Sequence, residues 1–245
     1  MTNGATGPYD PRGNRLLAAL PEAERGRLEP HLESVELNSG DVLYRSGEPI
    51  DAVWFPVLGV ISIVAELDGP AVEVATVGDE GMVGLSVFLG VGSPTERAVC
   101  QVPGRGLRMD ADRFRHEIAV LDGRLQQILQ RFTQAMFTQL ARNAACNRSH
   151  RTRQRCARWL LMTGDRMHSD RFPLTQRFLA QMLAVRRSSV SEVAGALAED
   201  GCISYSRGII TLLDRERLEA NACGCYRVIR ETIDATFPSV TDPGR

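Results

Sequence analysis

Lysine is absent from this 245-residue chain, and all 29 basic residues are arginine. Arginine presents a planar fork that bonds phosphate and carboxylate bidentately. Its exclusive use suits a phosphate-facing protein, and genome composition explains it equally well. Long apolar runs are missing too. Nothing approaches the roughly 18–20 apolar residues that span a bilayer, and the opening stretch MTNGATGPYDPRGNR lacks the apolar core of a signal peptide. A cytoplasmic protein with no membrane partner is expected. None of the four His (His31, His116, His150, His168) falls within 35–110. That region reads as β-rich below, and its lack of His argues against a metal-dependent oxygenase of the cupin type. No nucleophile–base pair and no phosphate-cradling glycine loop stands out, so an enzyme is not expected. The six Cys are scattered and none precedes Cys100. In a cytosolic chain they read as reduced thiols. Cys223-Gly224-Cys225 is too tight and too isolated to suggest a four-ligand site, and no metal is expected.

What the chain does contain is a charge split. The net charge is −1. Residues 1–122 hold 10 Arg against 19 Asp and Glu, whereas residues 123–245 hold 19 Arg against 11. Opposite charge in the two halves points to a nucleic-acid-binding C-terminal half.

The texture divides the chain in the same way. Residues 1–13 read as a flexible tail, and Leu16, Leu17 and Leu20, then Pro21, Leu28 and Leu32, read as short helices. From about 35 to 110, β-branched runs alternate with glycine turns: Val35–Leu37, Val42–Tyr44, Val53–Phe55, Val60–Val64, Val72–Val77, Met82–Leu89, Ala98–Val102 and Leu107–Met109. Short strands at this spacing predict a sandwich or barrel. Gly59 and the LDGP segment at 67–70 are among the expected turns. Then Leu121, Leu125, Ile128, Phe132, Met136, Leu140 and Ala144 recur at helical spacing, with Leu129 and Phe137 widening the stripe. A helix with so broad an apolar surface either packs only on its own β domain or also pairs with its own copy, and the second is expected, through a seam of Leu125, Ile128, Phe132, Met136 and Leu140.

Residues 174–197 read LTQRFLAQMLAVRRSSVSEVAGAL. Thr175 is a candidate N-cap. Leu179, Ala180 and Leu183 make one apolar face; Val190, Val193 and Leu197 make a second beyond a break at Ala184–Val185. This is the pattern of a helix-turn-helix, whose second helix enters a major groove, although the usual turn residue is Gly where this chain has Ala184. Arg186, Arg187, Ser188 and Ser189 open the second helix. There Arg pairs with guanine O6 and N7, and Ser reaches bases or phosphates. Asp200-Gly201 then turns the chain into two alternating runs around Arg207-Gly208, a hairpin that makes the motif a winged helix. Residues 140–217 hold 14 Arg against 7 acidic residues, as a phosphate-facing surface requires.

The order of β domain, long helix and winged helix resembles the CRP/FNR family of bacterial transcription regulators over almost the whole chain. Leu174 to Ile203 is similar to that family's DNA-reading helices and wing, and Leu43…Gly47-Glu48-Pro49 and Leu58-Gly59-Val60 to glycine turns of its cyclic-nucleotide-binding β-roll. The resemblance implies an α+β fold with a β-roll sensor at 14–120, a dimerisation helix at 121–148, a winged helix-turn-helix at 149–236 and a tail at 237–245. It implies a homodimer on a palindromic operator, with double-stranded DNA as partner and RNA polymerase as a further candidate. DNA contacts are assigned to Thr175, Gln176, Arg186, Arg187, Ser188, Ser189, Ser191, Glu192 and Arg207, within and around a reading helix at 187–198.

The departures bear on the signal. The family's nucleotide cassette pairs a Gly-Glu for ribose with a later Arg-Ser or Arg-Ala for phosphate. Here Gly84 is followed by Leu85, while Arg97-Ala98 matches the phosphate end. Leucine cannot accept a ribose hydroxyl, so an effector other than cyclic AMP is expected at Gly84, Leu85, Arg97 and Ala98. The family's iron–sulfur mode needs N-terminal cysteines and is not expected either, and His31 and His116 read as surface residues rather than haem ligands. The family's Arg-Glu-Thr-Val-x-Arg becomes Arg187-Ser188-Ser189-Val190-Ser191-Glu192, which implies a different operator. The alternative is a cyclic-nucleotide-responsive protein that acts by protein contact without DNA, a role that would not need the wing or the basic surplus.

Overall fold

A computed structural model describes residues 9–66, 71–120 and 123–237. The expected tails at 1–8 and 238–245, the LDGP turn and Leu121 lie outside the described residues. Residues 9–13 are not a tail. The Tyr9 N–H donates to Ser34 Oγ at 2.8 Å, and a Cβ on Gly13 would meet Val57 at 2.5 Å. At the other end, Phe237 packs on the roll core under the Arg15 guanidinium, 4.9 Å from its ring centre.

Two short helices, α1 (Arg15–Ala18) and α2 (Glu22–Leu28), precede the sheet. Asn14 caps α1 and is fully buried. Its Oδ1 accepts from Leu16 and Leu17 N–H, and its Nδ2 donates to Pro56 and Gly81 carbonyls at 2.8 and 2.9 Å. A buried amide satisfied on both sides pins the helix to the strands behind it.

The strands are β1 (Glu33–Leu37), β2 (Val42–Tyr44), β3 (Ala52–Ala65), β4 (Val72–Val77) and β5 (Glu96–Asp110). They form an antiparallel sheet in the order β1-β5-β3-β4, with β2 also on β5. Strands expected as separate pieces on either side of Gly59 are one long β3, and those around Gly104 are one long β5. The register shifts between Pro56 and Ile61, and such bulges bend a strand without ending it. Gly59 has φ +108°, and a Cβ on Gly104 would lie 2.1 Å from the Leu58 carbonyl oxygen, so the bend depends on both glycines. Met82–Leu89 is not a strand. It passes one bridge, Trp54 to Val83, and enters a short helix, α3 (Leu85–Phe88).

Next come α4 (Ala111–Val120), α5 (Arg124–Ser149) and α6 (Thr152–Met167). The first half of α5 closes the roll, with Leu125, Ile128, Leu129 and Phe132 wholly inside the roll core. The rest is β6 (Arg171–Pro173), α7 (Gln176–Met182), α8 (Arg187–Glu199), β7 (Ile203–Ser206), β8 (Ile209–Leu212), α9 (Arg215–Asn221) and α10 (Cys225–Asp234). The three short strands form a sheet in the order β6-β8-β7. Among the described residues no helix is long and apolar enough to cross a membrane.

The winged helix is docked on the roll. Val60 and Val102 from the roll belong to its core, alongside Trp159, Leu160 and Leu183. The Trp159 indole N–H donates to Glu73 Oε1 at 2.9 Å. Arg166 forks onto Glu80, with contacts of 2.7, 2.9 and 3.1 Å, and reaches Thr76 Oγ1 at 2.6 Å. Both charged side chains are buried, at 6% and 4% exposed.

Candidate nucleic-acid interface

Three local features build the reading unit. Thr175 Oγ1 caps α7 by accepting from Phe178 N–H at 3.3 Å. The chain turns at Ala184, whose φ of +50° is the left-handed conformation usually given to glycine. Then α8 starts at Arg187. Its Val190, Ala194 and Leu197 face inward against Leu179, Ala180 and Leu183, because every third or fourth residue of a helix shares a face.

That packing leaves Arg187, Ser188, Ser191 and Glu192 exposed on the opposite face. Arg186 precedes the helix, is exposed, and has no side-chain cap bond. The positive end of the α8 dipole therefore opens beside two guanidinium groups, a setting that favours an anion. Gln176 is half-buried and its Oε1 accepts from Ser191 Oγ at 3.1 Å, which links the two helices. Arg186 and Ser189 also line a groove of about 940 Å³ whose far wall is Ala71 and Val72, at the start of β4.

At the wing tip, Arg207 and Gly208 have φ of +50° and +78°, the paired positive values of a two-residue hairpin turn. Arg207 shares a shallow cleft with Arg171, Ser204, Ser206 and Thr211. Arg171 was not anticipated, because a three-residue β6 is too short to show a period. Other arginines of this half are already paired with acids: Arg153 with Asp200, and Arg215 with Asp165 and Asp170. Among the described residues none forms an ion pair with Arg171, Arg186, Arg187 or Arg207.

Two groups of expected residues need correction. Leu125, Ile128 and Phe132 do not form an open seam, since they are at most 2% exposed within the chain's own roll core. Met136 and Leu140 border a roll cavity. The outward face of α5 is a different stripe: Gln130, Gln134, Phe137, Ala141 and Ala144, with Leu140 beside it. Phe137 is 65% exposed and Leu140 40%.

The expected effector pocket is also only partly assembled. Gly84 and Leu85 line a cavity of about 330 Å³ whose wall includes Ile63, Val77, Met82 and the Glu96 carboxylate. Ala98 is buried in the core nearby. Arg97 points away, because neighbours on a strand face opposite sides, and it pairs with Glu66 at 2.9 Å. The described lining thus carries a carboxylate and no cation, which does not suit a cyclic phosphate. The dismissal of Cys223-Gly224-Cys225 needs correction as well, since the fold brings Cys146 and His150 to the same place.

Two protein-family comparisons match this architecture. Residues 34–120 match the cyclic nucleotide-binding domain, and residues 154–221 match the Crp-like helix-turn-helix domain. Among solved structures, FixK2 from Bradyrhizobium japonicum aligns at TM-score 0.65 and 16% identity, over 79% of this chain and 98% of that one. The c-di-GMP-responsive global regulator CLP of Xanthomonas campestris aligns at TM-score 0.64 and 14% identity, over 79% of this chain and 100% of that one. A crp/fnr-family transcriptional regulator from Eubacterium rectale aligns at TM-score 0.59 and 17% identity, over 86% and 97%. No curated protein matches. At such identities the structural likeness speaks to the fold.

Proposed function

Since a cyclic nucleotide-binding domain followed by a Crp-like helix-turn-helix domain makes this chain a member of the CRP/FNR family of DNA-binding transcription regulators, we propose that it reads a palindromic operator as a homodimer, under an effector that is not cyclic AMP. The observation that carries the DNA assignment is the outward face of α8, where Arg187, Ser188, Ser191 and Glu192 are exposed beside the dipole-positive helix end. Arg187 and Ser188 read base edges, joined by Ser189, Ser191 and Glu192. Arg186, Arg207 and Arg171 grip phosphates, and Thr175 and Gln176 hold α7 in register with the backbone.

Selection from a random DNA library at two salt concentrations tests this directly. The expected product is a two-fold symmetric consensus with half-sites about one helical turn apart and an affinity that falls steeply with salt. On that consensus, Arg187→Ala should weaken binding by about 1–3 kcal/mol, or roughly 5- to 150-fold, and relax one base position. Arg207→Ala should weaken all sequences alike. Recovery of no consensus, or unaltered footprints for the Arg187 variant, would refute the assignment.

The dimer seam is assigned to the exposed stripe of α5. Gln130, Gln134, Phe137, Ala141 and Ala144 alternate by four and three residues, the spacing of a coiled-coil seam, and the small alanines allow close approach. Phe137→Glu is expected to convert a dimer to a monomer in light scattering without loss of helicity. A Phe137→Glu chain that keeps a dimer's mass would move the seam elsewhere.

The effector reading rests on the cavity. An apolar wall, one carboxylate and no cation suit a largely apolar ligand, and Met136 and Leu140 from α5 border the same space. Calorimetry with cyclic AMP and cyclic GMP is expected to register no tight binding, and micromolar affinity for either would overturn this part.

A further inference from the structure

Cys146, His150, Cys223 and Cys225 are far apart in sequence and converge in space. Their ligand atoms all lie within 4.8 Å of one another. Cys146 Sγ is 3.5 Å from Cys223 Sγ, and Cys225 Sγ is 3.9 Å from His150 Nδ1. In a tetrahedral site with zinc–sulfur bonds of about 2.3 Å, the ligand atoms stand about 3.8 Å apart, so the spacing is that of donors around one ion. An iron–sulfur cluster spreads its cysteines over several metal atoms and sets them wider.

Local structure explains the convergence. Cys146 and His150 are one helical turn apart on the last turn of α5, where His150 is the C-cap and its N–H bonds the Cys146 carbonyl at 3.0 Å. Cys223 and Cys225 flank Gly224, the N-cap of α10, and α10 packs along α5. The three thiols are buried and form a small cluster of their own, apart from both main cores. His150 is partly exposed, which leaves an entry path.

The surroundings suit a thiolate-bound cation. Three thiolates and a divalent ion sum to one negative charge, and Arg155 and Arg158 lie buried close enough to act on these sulfurs. The Nε of each has no hydrogen-bond partner among the described residues. Three sulfurs and one imidazole nitrogen form a closed structural zinc donor set.

We propose that Cys146, His150, Cys223 and Cys225 bind a single zinc ion, which clamps α10 to the elbow between α5 and α6. That elbow, His150-Arg151, is where the chain passes from the roll's long helix to the winged helix. A metal there ties the position of the reading unit to α5.

The test uses the full-length chain, purified with reductant and without chelator. Elemental analysis is expected to give one zinc per chain, and Cys223→Ser/Cys225→Ser less than a tenth of that. Because such a variant is liable to fold poorly, the wild-type chain is also exchanged with cobalt. Tetrahedral d–d bands together with sulfur-to-cobalt charge transfer are expected. His150→Cys should keep the metal and shift those bands towards an all-thiolate spectrum. Neither zinc nor cobalt bands in the folded wild-type chain would overturn the proposal. So would iron with acid-labile sulfide, which identifies a cluster, or a Cys146–Cys223 disulfide found by mass spectrometry, which identifies a redox pair.

Discussion

Replacing Arg166 with methionine should lower the stability of the chain by about 3–5 kcal/mol, the cost of leaving one member of a buried ion pair unpaired. Arg166 spans the junction between winged helix and roll. It forks onto Glu80, reaches Thr76 Oγ1 at 2.6 Å, and bonds the Thr76 carbonyl at 3.2 Å. A Cβ on Gly78 would stand 2.5 Å from its Cγ, so the loop is built around this side chain. Without the guanidinium, the Glu80 carboxylate keeps its burial and loses its counter-charge. For a domain of this size the melting temperature should fall by roughly 6–20 °C. The double variant Arg166→Met/Glu80→Gln should recover much of the loss, because the stranded charge is then gone. Calorimetric scans of the two variants decide the matter, and a double variant no more stable than the single would assign the effect to packing.

Glu73 should make the same junction weaken as pH rises. Burial pushes its carboxyl up to about 7 from 4.5, although hydrogen bonds from Ser62 and Trp159 and the charges of Arg158 and Arg166 pull the other way. The group is raised on folding, so the native chain holds a proton that the unfolded chain releases. Stability from this residue is therefore full below pH 4.5 and is lost as pH climbs through 7. The span corresponds to about 3 kcal/mol. Asp79 is raised in the same sense, chiefly by burial, so the wild-type curve alone does not isolate Glu73. Urea titrations of wild type and Glu73→Gln between pH 5 and 8 do. The two curves should diverge with pH, the wild type losing more. Parallel curves would mean that Glu73 is ionised in the folded chain throughout.

Both predictions concern a surface that composition did not announce. An acidic surplus such as that of the N-terminal half is ordinarily left to solvent. Some of those acids, Glu73, Asp79 and Glu80, instead receive Trp159, His168 and Arg166 from the basic half. The junction is electrostatic as well as apolar, and it brings β4 to the helix-turn-helix. Arg186 and Ser189 share a groove with Ala71 and Val72, so any rotation of the winged helix against the roll alters the surroundings of residues proposed to meet DNA.

What the sequence by itself determined was local. The caps, the two apolar faces from Leu179 to Leu197, the Arg207-Gly208 turn and the existence of a long α5 all follow from interactions among residues a few positions apart. Ala184 could be singled out as the turn because the apolar period breaks there, and its positive φ is the conformation the usual glycine would take. The tertiary structure decided everything that depends on which surface meets which. The wide stripe on α5 offered two buried faces, and only the packed roll chose Leu125, Ile128 and Phe132 for itself and left Phe137 to solvent. Strand register put Glu96 into the cavity and Arg97 outside it, since a shift of one residue exchanges the faces. Cys146 and Cys223 lie 77 positions apart, and no local period relates them. Their meeting requires α10 to return along α5, which is a property of the fold and not of any window of the chain.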